Sequence, residues 1–176
     1  KIPLNLEMAP TKEMLNISLK YKPKYVCIVP EKRSEVTTEG GLNLKKNLTS
    51  IKKIIKKLKE KNIRISLFIE PSIRDVKIAK AIQTDCIEIH TGKICNLYNK
   101  KRNIKGELKK IKKAVNYANY IGLEVHAGHG ITFSSAKVLS KIKGIREFNI
   151  GHFLIGESIF TGIRDSIKKF KRILKK

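Results

Sequence analysis

Apolar and polar positions fall in alternating blocks along this chain. Short apolar runs rich in β-branched residues recur six times, at roughly 3–8, 25–30, 64–70, 86–91, 124–128 and 146–151. Tyr25-Val26-Cys27-Ile28-Val29-Pro30 and Ile63-Arg64-Ile65-Ser66-Leu67-Phe68-Ile69 are typical. Such runs predict strands buried on both faces of a parallel sheet. Between them the apolar residues take helical spacing. Thr11 is a predicted N-cap for a helix that starts at Lys12. Leu48, Ile51, Ile54, Ile55 and Leu58 form one stripe with lysines opposite. Pro71 stands near the start of a helix over 72–83. Leu108, Ile111, Val115 and Ala118 mark a further stripe, closed by Gly122. Ser134 or Ser135 is expected to cap a short helix to about 142, and a last helix is expected over about 153–174.

Repeated βα units with short connections mean an α/β fold with a parallel sheet, doubly wound or closed as a barrel. Six units fit a (β/α)8 TIM barrel that lacks its first two. The barrel reading also sets every chemically unusual residue on one rim. No linker or low-complexity segment interrupts residues 1–176, so one domain is expected. The chain opens on Lys1 and runs at once into Pro3-Leu4-Asn5-Leu6-Glu7-Met8, and we expect an N-terminal part of the domain to be absent.

With 41% hydrophobic residues the chain is globular, and its net charge of +24 raises nucleic acid as a partner. The lysines, however, lie on almost every expected helix, and lysine far outnumbers the arginine that base and phosphate forks favour. Abundant Lys, Ile and Asn with little Ala is the signature of an AT-rich genome. The charge therefore reads as solvated helix faces, and nucleic acid is not expected as a partner. Cys27 and Cys86 lie in strand-like runs and read as core; Cys95 follows a strand end and could be a free thiol. No disulfide framework or metal spacing is present, which points to reducing cytosol, and no apolar run approaches membrane-spanning length.

Several polar residues sit where ligands bind in α/β folds, just past strand ends. Glu7 reads equally as a rim glutamate paired with a lysine or as a general base. Glu88 and His90 alternate onto one face of their strand, either as a ligand-facing pair or as a buried hydrogen-bonded pair. The polar stretch from Glu31 to Gly41, with Thr37, Thr38, Gly40 and Gly41, could bind a phosphate or could be a surface loop. His129, between Gly128 and Gly130, is poor core material and reads as functional. His126 reads as a packed histidine. Gly151 and His152 open the last helix, whose N-terminal amides favour an anion.

Six segments carry a resemblance. Asn5-Leu6-Glu7-Met8-Ala9, Val29-Pro30-Glu31-Lys32-Arg33, Val36-Thr37-Thr38-Glu39-Gly40-Gly41-Leu42, Ile87-Glu88-Ile89-His90-Thr91-Gly92, Ala127-Gly128-His129-Gly130 and Asn149-Ile150-Gly151-His152 together resemble the pyridoxine 5'-phosphate synthase family in order and spacing. The resemblance implies a (β/α)8 barrel. It implies condensation of 1-deoxy-D-xylulose 5-phosphate with 3-amino-2-oxopropyl phosphate to pyridoxine 5'-phosphate, phosphate and water. It implies no metal or organic cofactor, a cytoplasmic location and homo-oligomers, usually octamers built from dimers. By the same resemblance Glu7 is the proton acceptor, Glu88 stabilises the transition state and His129 is the proton donor. Thr37 would contact the xylulose phosphate; Gly130, Gly151 and His152 would contact the amino-ketone phosphate. The family's two preceding βα units, with an Asn-Ile-Asp-His segment and a His-Leu-Arg segment, have no counterpart in this sequence. A non-catalytic remnant of the barrel is the alternative reading.

Overall fold

The computed structural model describes residues 2–30 and 40–175. Six strands form: β1 (Asn5–Met8), β2 (Tyr25–Ile28), β3 (Arg64–Ile69), β4 (Cys86–His90), β5 (Glu124–Gly128) and β6 (Ile145–Asn149). They pair in sequence order, every pair parallel. Eight helices lie among the described residues: α1 (Lys12–Tyr21), α2 (Leu44–Lys59), α3 (Ile73–Ala81), α4 (Gly92–Asn99), α5 (Lys105–Tyr120), α6 (Phe133–Leu139), α7 (His152–Thr161) and α8 (Ile163–Leu174).

The sheet is strongly curled. Three side-chain contacts skip a strand: Cys27 on β2 reaches Glu88 on β4 at 3.5 Å, Arg64 on β3 meets Glu124 on β5 at 2.9 Å, and Asn149 on β6 meets Glu88 at 2.6 Å. Alternate strands lie about 9.5 Å apart in a flat sheet, so only a concave face lets such short side chains touch. The result is a half-barrel of six βα units.

Strand alternation sorts the residues by face. Met8, Val26, Ile28, Ile65, Leu67, Ile69, Ile87, Ile89, Val125 and Ala127 point outward and form one core with the helices. Ile51, Ile54, Ile55 and Leu58 of α2, with Ile111, Ala114, Val115 and Ala118 of α5, supply the other side. Each fully buried isoleucine or leucine contributes roughly 1.5–3 kcal/mol, so this layer holds the domain together. The concave face is instead polar. Near its N-terminal end a cavity of about 50 Å³ is lined by side chains of all six strands, including Tyr25, Arg64, Glu124, His126 and Glu147. There His126 Nε2 lies 2.8 Å from Glu124 Oε1, and Glu124 is held below the ordinary glutamate range, first by that hydrogen bond and then by Arg64.

The helices follow their expected signals with four differences. Thr11 caps α1 as expected, and Lys52, Lys53, Lys56 and Lys57 are exposed on α2, but Leu48 is itself 38% exposed. The cap of α6 is Thr132, which forms a reciprocal capping box with Ser135, so the box begins earlier than Ser134. The single last helix is two helices, broken at Gly162, where φ is 80°. Helix α4 follows β4 directly and had no separate apolar stripe to announce it. Cys95 lies on α4 as a free thiol and is 1% exposed. Phe133, Phe153 and Phe170 join α6, α7 and α8, with ring centroids 4.4–6.0 Å apart.

Candidate active site at the carboxyl rim

Because every strand runs in the same direction, all their carboxyl ends share one rim. Glu7, Glu88 and His129 lie at or near it, as do Gly130, Gly151 and His152. Thr37 lies outside the described residues.

Glu88 is the centre of the concave face and is 4% exposed. Its Oε2 accepts hydrogen bonds from Asn149 Nδ2 and, weakly, from Cys27 Sγ. Burial raises its carboxyl to about 6, with the Asn149 hydrogen bond pulling against that rise and the Glu7 charge adding to it. Near neutral pH it can thus hold or release a proton at small cost. Glu7 is exposed on β1, and its charge acts on both Glu88 and Cys27, so the carboxylates share one field. Burial, then the Glu88 and Glu7 charges, push the Cys27 thiol well up, which makes it an inert neighbour rather than a nucleophile.

Gly128 makes room for Glu88. A Cβ at this position would collide with Glu88 Oε1 and lie 3.3 Å from Asn149 Cβ. The glycine before His129 therefore serves the carboxylate on the neighbouring strand.

His129 follows with φ at 75°, a left-handed conformation rare outside glycine. The residue is exposed. The backbone is pinned by Thr91, which is fully buried at the end of β4. The Thr91 hydroxyl is shared between the carbonyls of Gly128 at 2.7 Å and His129 at 2.8 Å, and the Thr91 amide donates to Gly128 O at 2.9 Å. The His90 ring stands 5.1 Å from that of His129, and Phe68 lies 5.2 Å from His90.

Gly151 is the N-cap of α7 and His152 its first residue. Both are exposed, and a Cβ at Gly151 would meet nothing within 4 Å. A helix start in this position favours an anion.

The sequence reading did not single out Glu70, nor the roles of Asn149 and Gly128 beside Glu88. Glu70 lies one residue past β3 and binds His90 Nδ1 and the Gly41 amide, each at 2.8 Å. The criterion that singled out Glu7, an acid at a strand end, also fits Glu70. Alternation from Glu147 points to Asn149. No pattern along the chain signals that Gly128 must clear a side chain on β4. Among the described residues no group of three or more His, Cys, Asp or Glu could hold a metal ion. None of their helices is long and apolar enough to cross a membrane.

The rim therefore offers two buried-to-exposed carboxylates, an exposed histidine and an exposed helix start. That set can move protons on a phosphorylated substrate. Comparison with known proteins points the same way. The family model described as "Pyridoxal phosphate biosynthesis protein PdxJ" matches residues 1–176. The pyridoxine 5'-phosphate synthase of Pelagibacter ubique is 53% identical over 176 residues, covering 100% of this chain and 74% of that protein. Those of a Sulfurihydrogenibium species and of Zymomonas mobilis are each 47% identical over 173 residues, covering 98% of this chain and 70% and 67% of theirs. Among solved structures, a citrate synthase SbnG superposes with a TM-score of 0.57 at 12% identity, over 98% of this chain and 73% of that one, a likeness of fold alone.

Proposed function

Because this chain belongs to the PdxJ family of pyridoxal phosphate biosynthesis proteins, we propose that it acts as a pyridoxine 5'-phosphate synthase. The reaction is the condensation of 1-deoxy-D-xylulose 5-phosphate with 3-amino-2-oxopropyl phosphate, releasing phosphate and water. The observation that carries this reading is identity of 53% along the whole chain to a protein of that name, supported by Glu7, Glu88, His129, Gly130, Gly151 and His152 lying at or near one edge of the sheet.

In this reading the half-barrel is part of a (β/α)8 barrel, and Glu7 takes protons from carbon or nitrogen as the amine adds to the ketone. Glu88 stabilises charge as it develops, a task suited to a carboxyl raised to about 6 inside a polar, sheltered face. His129 donates the proton that lets an oxygen leave. Gly130, Gly151 and His152 receive the amino-ketone phosphate, helped by the exposed first turn of α7. Thr37 contacts the xylulose phosphate. A cytoplasmic homo-oligomer belongs to the same reading and rests on the family.

The test is turnover of the two phosphorylated substrates followed by formation of pyridoxine 5'-phosphate. His129→Asn keeps a residue tolerant of positive φ, so the fold should survive. The rate should fall about 100-fold or more, the range for losing a general acid. Normal turnover with weakened binding would reduce His129 to a ligand contact, and no product from the wild-type protein would sink the reading.

A further inference from the structure

We propose that Glu70 is a positioning residue that acts on His129 through His90. The inference rests on the reading of His129 as the proton donor. Glu70 stands just past β3, and its Oε1 accepts from the Gly41 amide and from His90 Nδ1, both at 2.8 Å. The His90 hydrogen bond, against the opposing effect of burial and with help from the Gly41 amide, keeps the Glu70 carboxyl below its ordinary range, so it is an acceptor at neutral pH. His90 must then carry a proton on Nδ1, and the direction of its ring is set.

The other edge of that ring faces His129. A Cβ on Gly92 would stand 2.6 Å from His90 Nε2 and 2.7 Å from His129 Cδ2, so the two atoms border the same small space. The ring centroids are 5.1 Å apart and tilted by 56°, and Phe68 packs against both rings at 5.2 and 6.4 Å. His129 has glycine on either side, and neither glycine offers a side chain to steady the imidazole. The wall comes from β3 and β4 instead: Phe68 and a His90 that is 7% exposed and locked by Glu70. Without Glu70, His90 is free to turn about its χ2, and His129 loses a fixed neighbour. Small misplacement of a reacting group lowers rate far more than it lowers binding.

The experiment compares Glu70→Ala, Glu70→Gln and each combined with His129→Asn. In Glu70→Ala, kcat should fall about 10-fold or more while KM for both substrates stays within about three-fold, the mark of lost transition-state positioning. Glu70→Gln should recover most of the rate, because its amide oxygen still accepts from His90 Nδ1 and the Gly41 amide. Imidazole ¹⁵N spectra should show His90 protonated on Nδ1 in wild type and Glu70→Gln, and a tautomer mixture in Glu70→Ala. On the His129→Asn background, Glu70→Ala should add little further loss. Full additivity there, or a Glu70→Gln as slow as Glu70→Ala, would overturn the proposal alone. Wild-type turnover in His129→Asn by itself would overturn the reading of His129 and this proposal together.

Discussion

The carboxylate of Glu88 occupies the space in which a Cβ at residue 128 would stand. The two residues are on neighbouring strands, Gly128 paired with His90 and Glu88 with His126 in the β4–β5 ladder. Gly128→Ala should push Glu88 away from Asn149. Overpacking of this kind costs about 1–3 kcal/mol, visible as a lower melting temperature. Turnover should fall further than that loss of stability explains. A Gly128→Ala variant with full activity would show that the position of Glu88 does not matter to the reaction.

Glu88 itself should trade stability for chemistry. Burial raises its carboxyl from 4.5 to about 6, so between these values the folded protein holds a proton that the unfolded chain has released. The stability tied to this group is fully present below about pH 4.5 and is lost as pH rises through 6. At 1.36 kcal/mol per pKa unit the loss is about 2 kcal/mol above pH 6. Glu88→Gln should therefore melt higher than wild type at pH 8, with little gain at pH 4, and should turn over slowly. Thermal scans at the two pH values check the sign. Glu124 and Glu70 act in the opposite sense, since their lowered carboxyls lend stability above the ordinary glutamate value and lose it as pH falls below.

Thr91→Val tests how the left-handed His129 is held. The substitution keeps shape but removes the hydroxyl shared by the Gly128 and His129 carbonyls. The Gly128 carbonyl keeps the Thr91 amide, whereas the His129 carbonyl loses the hydroxyl. Losing the hydroxyl's hydrogen bond should cost about 0.5–1.5 kcal/mol, read by denaturant titration. Unchanged stability would mean that the backbone at His129 is set elsewhere.

The six strands were legible because their outward residues are apolar without interruption, and the bounds agree to within two residues. The concave face was harder to read. Glu88, His90 and His126 stood out as polar residues in apolar runs; Cys27 is buried as expected, but its contact with Glu88, 61 residues away, has no local signal. Helix α4 escaped because it is short, begins at Gly92 and buries only Ile94 and Cys95. The break at Gly162 was missed because an apolar pattern runs through it from Phe153 to Ile173. Glu70 was visible as an acid before a proline, yet nothing near it in sequence indicates His90.

The lysines of α2 face solvent and others stand exposed on α5 and α8, so the charge of +24 is spread over several helices. Binding to random duplex DNA should be weak and vanish at modest salt, since dispersed charges engage few phosphates at once. A gel-shift titration across ionic strength checks this. Tight binding at physiological salt would restore nucleic acid as a partner.

The two-sidedness of the strands has an evolutionary consequence. Outward positions answer only to volume and oiliness, so a genome that drifts toward AT-rich codons can convert them to isoleucine and recolour the helix surfaces with lysine. Inward positions answer to hydrogen-bond partners two strands away, and a single exchange there orphans a neighbour. Compositional drift is thereby channelled into the part of each strand that has no chemistry to lose, and a lineage can rewrite much of its protein while leaving the reacting groups where they were.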